Sequence, residues 1–242
     1  MQALATREEG LLGIVGGLGP LASAEFLKTI YECSPRTCEQ HWPRVVMYSD
    51  PTFPDRTETL LAGLDDLLLD PLVEALRQLE RLGANRIVIC CVTLHHLVPR
   101  LPHSLRTRIW SLLDVVFAQV VKREERHLLL CTSGTRQLGI FQLHPQWEAA
   151  HDFLVLPDDD DQQLIHGLIY RIKKNDDVSG LIPIIETLLS KYAVNSFIAG
   201  CTEMHLLAKR FRSTPGEIRE RGCIDPLSII AREVTKESIC NM

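Results

Sequence analysis

An α/β protein with parallel strands is what this sequence predicts, on three observations. Short apolar runs alternate with longer segments of helical period, and the alternation starts again near the middle of the 242 residues. Two strand-end segments, "RIVICCVTLHHL" (86–97) and "SFIAGCTEMHLL" (196–207), also superpose without a gap, setting Cys91 against Cys201 and His95 against His205. Such weak self-similarity is typical of two halves of a duplicated architecture.

The first half opens with "LLGIVG" (11–16), a short apolar run with the character of a buried strand, and a glycine loop, "GGLGP", comes directly after it. "LASAEFLKTIYE" (21–32) has the length and spacing of a helix. "RVVMYS" (44–49) is the second strand, "DPLVEALRQLERLG" (70–83) the second helix, and "RIVICC" (86–91) the third strand. The pattern restarts at "HLLLCTSGT" (127–135), again a strand running into a glycine-bearing loop. Two helical segments, "DQQLIHGLIYRIKK" (161–174) and "GLIPIIETLLSKYA" (180–193), lead to the strand "SFIAGC" (196–201). Asp225 and Pro226 supply a cap and a first helical residue for "PLSIIAREVTK" (226–236). No Gly-, Ser- or Pro-rich linker separates the halves, so the passage near 103–110 reads as a tight crossover. The run Asp158 to Asp161 precedes a helix and reads as its solvated start, favoured by the macrodipole, rather than as a metal site.

Composition narrows the function. A 45% hydrophobic and 24% charged chain of net charge −5 is that of an ordinary globular protein, with no basic patch for nucleic acid. The N-terminus has no long apolar core and no later stretch offers about 20 uninterrupted apolar residues, so neither a signal peptide nor a membrane span is expected. The expectation is a cytoplasmic protein with reduced thiols, because Cys90, Cys91, Cys131 and Cys201 lie in or beside strand-like runs rather than in a loop-rich disulfide framework.

Chemistry concentrates at two of those cysteines. Cys91 and Cys201 each stand where a strand gives way to a helix, and a parallel α/β sheet binds ligands beyond the carboxyl ends of its strands. A helix N-terminus there favours a thiolate. Cys90 falls within the strand, matches Gly200, and reads as a small buried hydrophobe. Thr93 and Thr202 place hydroxyls beside the two sulfurs.

The chain resembles the aspartate/glutamate racemases that work without pyridoxal phosphate. The resemblance rests on "GIVGGLGPLAS" (13–23), "PDRT" (54–57), "CVT" (91–93), "TSGTRQLGIF" (132–141), "IYRIK" (169–173), "GCTE" (200–203) and "IDP" (224–226), in order along nearly the whole chain. It implies two similar flavodoxin-like parallel-sheet domains related by pseudo-twofold symmetry, with the substrate held between them. The termini would share the first domain (1–106 plus 213–242), and 107–212 would form the second. It also implies a homodimer, no cofactor and a small amino-acid substrate, aspartate, in whose racemisation Cys91 deprotonates the D-enantiomer and Cys201 the L-enantiomer. Two bases are needed because one cannot easily reach both faces of an α-carbon.

Further site residues come with the same resemblance. Gly16, Gly17 and Gly19 allow close backbone approach and bring in Leu18; Thr93, Thr135 and Thr202 donate hydrogen bonds to the developing carbanion. Glu203 orients the ammonium group or tunes Cys201. Arg56, in the proline-stiffened "TFPDRT", is the anchor for the distal carboxylate, with Lys173 a second charge from the other domain. The chain departs from the family at Val92, where asparagine is usual, and at Leu138 and Phe141, where serine and tyrosine are common; Asp50 is a neighbour to which the role of the missing amide could pass. Four other readings remain: a glutamate racemase, a nucleotide-cofactor site at Gly17, Gly19 and Ala22 (G-x-G-x-x-A, though Asp50 lies too far along for its acidic partner), a metal site from Cys91, His95 and His96, which lacks a full ligand set, and a non-catalytic binding module on the same fold. His95 and His96 otherwise read as interface or core-edge residues.

Overall fold

A computed structural model describes residues 10–35, 38–213 and 222–240. The chain lays down β1 (Leu11–Gly16), α1 (Pro20–Cys33), β2 (Arg44–Ser49), α2 (Arg56–Leu61), α3 (Asp66–Arg81) and β3 (Ala84–Ile89). A 3₁₀ stretch over Thr93–Arg100, α4 (His103–Arg106) and α5 (Leu112–Arg123) lead to β4 (His127–Leu130). Then come α6 (Ser133–Gln137), α7 (Trp147–Ala150), β5 (Leu154–Val155), α8 (Asp159–Lys173), α9 (Ile182–Lys191), β6 (Phe197–Ala199), α10 (Met204–Ser213), β7 (Cys223–Ile224) and α11 (Pro226–Cys240).

The fold is α/β with two parallel sheets, ordered β2-β1-β3 and β5-β4-β6-β7. Apolar β1 occupies the centre of the first sheet, its Ile14 and Val15 fully buried, and β4 and β6 occupy the centre of the second. The crossover near 103–110 runs along β3: the Ile87 N–H donates to the Arg108 carbonyl and the Trp110 N–H to the Ile87 carbonyl, both at 2.8 Å. It thereby covers a sheet edge that would otherwise present unpaired groups. Of the segment 213–242, β7 pairs with β6 in the second sheet, while α11 packs against α1 and α5.

Three apolar clusters hold the layers. One belongs to the first half around Leu68, Leu72 and Ile89, and one to the second around Ile165, Ile185 and Phe197. The third joins the halves, with Ile14 and Phe26 meeting Phe117, Phe141, Ile198 and Ile230. Each such fully buried side chain contributes about 1.5–3 kcal/mol by leaving water, so the seam is held by apolar packing as well as by the polar contacts described below.

Several boundaries differ from the sequence reading. Helix α3 begins at Asp66 rather than near Asp70 and carries Pro71 inside its early turns, where the missing N–H forfeits one bond to a carbonyl four residues back. Strand β3 ends at Ile89, so Cys90 lies just past it, although its N–H still donates to the Val15 carbonyl at 2.9 Å. The stretch after Cys91 is 3₁₀ rather than α-helix, and it contains Pro99. The acidic run is a helix start: Asp158 caps α8 by accepting from the Asp161 N–H, and Lys191 pairs with both carboxylates.

On β4, His127 is wholly buried and neither ring nitrogen finds a hydrogen-bond partner among the described residues. Burial, with the Arg123 charge added, pulls it down to about 4, against ~6.5 for a free imidazole. A histidine held neutral in this way contributes stability above pH ~6.5 that is lost as pH falls toward ~4, because the unfolded chain binds the extra proton. His127→Leu is therefore expected to shrink the drop in Tm between about pH 7 and pH 5 in thermal melts. An unchanged drop would exclude His127 as its source.

Candidate active site

The glycine loop after β1 has one conformation open to it. Gly17 sits at φ 84°, and a Cβ there would lie 2.3 Å from the backbone of Asp50, so only glycine fits. Asp50 is held in turn: its Oδ1 accepts from the Thr52 N–H at 2.9 Å and hydroxyl at 2.6 Å, which keeps its carboxyl below the usual range. One oxygen of that carboxylate is thus engaged within its own loop.

Arg56 owes its place to a cap. Asp55 Oδ1 accepts from the Glu58 N–H and starts α2, while Asp55 Oδ2 accepts from the Tyr170 hydroxyl of α8 at 2.7 Å, across the two halves. Arg56 is then the first residue of α2. Its Nη2 donates to the Leu18 carbonyl at 2.5 Å and its Nη1 to the Pro54 carbonyl at 3.1 Å; its Nε is buried without a hydrogen-bond partner among the described residues. Burial disfavours the guanidinium charge, but Cys91, Asp55, Glu203 and Cys201 together outweigh that and raise it. One cation thus lies within electrostatic reach of both candidate sulfurs. Close packing fixes its height, since a Cβ on Gly134 of α6 would lie 2.7 Å from Thr57 Oγ1.

The second half supplies the other wall. Cys201, past the end of β6 and 5% exposed, donates its S–H to Glu203 Oε2 at 2.8 Å. Burial first, and then the Glu203 charge, push this thiol well up, partly opposed by Lys173. Glu203 is itself 2% exposed, and its Oε1 has no hydrogen-bond partner among the described residues. That oxygen lies 2.1 Å from where a Cβ on Gly19 would stand. The close approach permitted by the glycine loop is therefore taken up by a carboxylate of the opposite half, which weighs against a dinucleotide there. Beside Glu203, Gly19, Pro20 and Lys173 line a cavity of about 10 Å³, room for about one water.

Hydroxyls close the seam. Thr93 Oγ1 lies 2.9 Å from Thr135 Oγ1 and 3.3 Å from Thr132 Oγ1, and Thr202 Oγ1 donates to the Cys90 carbonyl at 3.2 Å. Thr132, which caps α6 through the Thr135 N–H, was not singled out from sequence although it stands in "TSGT". Lys173, half-buried, holds its ammonium 4.4 Å from the Tyr170 ring centroid. Val92 sits apart, its side chain in the apolar cluster shared by the halves. Leu18 offers its carbonyl, while its side chain packs in the first-half core beside Cys91. Leu138 packs against both neighbouring clusters, and Phe141 is buried against Phe117 with ring centroids 6.1 Å apart. Burial raises Cys90 far above an ordinary thiol and Cys131 to about 12.

The two matching histidines differ in what they hold. His95 Nε2 accepts from the Leu112 N–H at 3.1 Å, which leaves the proton on Nδ1 to be donated to the Cys91 carbonyl at 2.9 Å. Burial keeps that ring neutral. His205 instead meets Asp225 at 2.8 Å and Thr29 at 2.9 Å. His96 is partly exposed and 3.8 Å from Asp65. His95 thus braces the Cys91 strand end by its backbone, with a ring whose two nitrogens are both engaged by main chain.

The model of the Asp/Glu/hydantoin racemase family matches residues 15–234. The chain belongs to that family. Solved structures agree on the fold. Aspartate racemase of Picrophilus torridus superposes with a TM-score of 0.77 at 23% identity over 95% of this chain and 94% of that one. An aspartate racemase homologue of Pyrococcus horikoshii gives 0.68 at 20% identity over 96% and 99%. Glutamate racemase of Francisella tularensis, solved with D-glutamate, gives 0.61 at 13% identity over 96% and 82%. Racemase-family membership makes the protein an isomerase by class and directs attention to the seam between the sheets as the place to seek its chemistry.

Because the Glu203 charge helps hold the proton on Cys201, Glu203→Gln should move the pH midpoint for iodoacetamide alkylation of Cys201 downward, read by peptide mass spectrometry. A midpoint that stays put or rises would show that burial alone sets this thiol.

Proposed function

We propose that the protein interconverts L- and D-aspartate by moving a proton between the two faces of the α-carbon, with Cys91 and Cys201 as the two bases. The observation that carries this reading is the placement of both cysteines, at matching strand ends of the two halves, within reach of the Arg56 charge.

Starting from D-aspartate, the Cys91 thiolate takes the α-hydrogen and leaves its electron pair on carbon, delocalised into the α-carboxylate. The Cys201 thiol, which holds its proton against Glu203, delivers it to the opposite face. The site is left as Cys91 thiol and Cys201 thiolate, the form that attacks L-aspartate. Thiols are far stronger acids than the α-carbon, so the carbanion must be stabilised by preorganised charge and donors. Arg56, whose Nε has no partner among the described residues, and the Thr93–Thr132–Thr135 hydroxyls supply them. Glu203 Oε1, buried and unpartnered among the described residues, suits the substrate ammonium, and Lys173 adds a cation for the distal carboxylate. Nothing in this cycle calls for a metal, pyridoxal phosphate or a nicotinamide.

Cys91→Ala and Cys201→Ala should each lower racemisation by about 10²- to 10⁴-fold, the range for loss of a positioned proton-transfer group, while each retains α-proton exchange of one enantiomer in deuterium oxide. Two-way racemisation surviving in either variant would end the two-base assignment.

Arg56→Ala should reduce kcat/KM for aspartate, and the parent should prefer aspartate to glutamate by about a hundredfold, because a fixed arm tolerates little displacement of the carboxylate. Equal turnover of both amino acids would instead favour the glutamate reading.

A further inference from the structure

A second cavity, of about 330 Å³, lies on the other side of the brace that holds Cys91. Its buried walls are His95, Leu113 and Ile140, with Ile109 partly covered, and Arg106 and Leu143 stand exposed along it. No sulfur, threonine or acid of the proposed catalytic site lines it. The volume falls within the range of small-molecule sites, and the mix of apolar wall and few polar groups is the usual one.

Two features define what it would hold. The Arg106 guanidinium has no carboxylate partner among the described residues; it meets only the Pro99 carbonyl at 3.3 Å and His103 Nδ1 at 3.5 Å. The acid on the same lining, Asp114, is already engaged by His144 Nε2 at 2.8 Å. An unpaired guanidinium beside an apolar chamber matches a small carboxylate with an apolar body. The cavity also touches His95, whose ring bridges the Leu112 N–H and the Cys91 carbonyl, so anything seated there bears on the backbone that carries Cys91. We propose that this cavity binds a small apolar carboxylate and that its occupancy alters Cys91 through His95. The binding stands apart from the racemase reading; only its consequence for turnover rests on it.

The test uses the full chain with 8-anilinonaphthalene-1-sulfonate as fluorescent probe, 4-phenylbutyrate as competitor and 4-phenylbutanol as its neutral counterpart. One probe per chain should bind and be displaced by the acid about tenfold more tightly than by the alcohol, the usual worth of a charged hydrogen bond. Arg106→Ala should erase that difference, and Leu143→Glu, at a residue 74% exposed and so harmless to folding, should weaken the probe and the acid. Saturating 4-phenylbutyrate should change the iodoacetamide alkylation rate of Cys91, followed by peptide mass spectrometry, and this effect should vanish in His95→Gln. Acid and alcohol binding alike, binding indifferent to both surface variants, or an unaltered Cys91 rate would each overturn the proposal. So would a cavity closed by self-association, with probe binding only on dilution, because its occupant would then be a second copy. None of these readouts needs racemase activity, so they fail separately from the assignment of the reaction.

Discussion

A carboxylate buried in the seam between two sheets sets the terms for everything around it. Glu203 is 2% exposed, and a charge so far from water is tolerated only with compensation close by. Compensation comes from Cys201, whose S–H it accepts, and from the Arg56 charge across the seam. Room for it comes from Gly19, where any side chain would collide with Oε1. The glycine loop of one half and the cysteine loop of the other are therefore shaped to each other, and the distance between the halves is set by that fit.

The seam is also where duplication gives way to division of labour. The two strand ends match in sequence, yet one cysteine is succeeded by Val92 and Thr93 and the other by Thr202 and Glu203. The first half presents its sulfur beside a guanidinium, whereas the second presents its sulfur as a thiol against an acid. On the proposed two-base reading, inversion at carbon uses this asymmetry, one group to take a proton and another to hold one ready. The equivalent histidines have diverged too: His95 braces a backbone, and His205 belongs to a buried network with Asp225 and Thr29.

Much of this was legible in the chain alone. Alternating apolar and helical periods determined an α/β protein with parallel strands, and the gap-free match of 86–97 with 196–207 singled out Cys91 and Cys201, because register at a strand end survives duplication. Less local features were not legible. Short β5 and β7 carry too few residues for periodicity to register, α5 was not singled out, and α3 starts ahead of a proline that reads as a helix opening. Val92 looked like a substrate position that had surrendered its amide, but its side chain is directed into the shared core.

By itself, the sequence determined which residues are candidates for chemistry and on which kind of element each stands, since glycine loops, caps and strand ends are local consequences of neighbouring residues. Only the tertiary structure decided the pairings. That the Arg56 charge lies within electrostatic range of both sulfurs, that Asp55 meets Tyr170 and that Glu203 fills the space above Gly19 joins residues more than a hundred positions apart in all but one case, Arg56 and Cys91. Contacts between elements arise from how two sheets pack on a common core, and no local period in the chain encodes that packing.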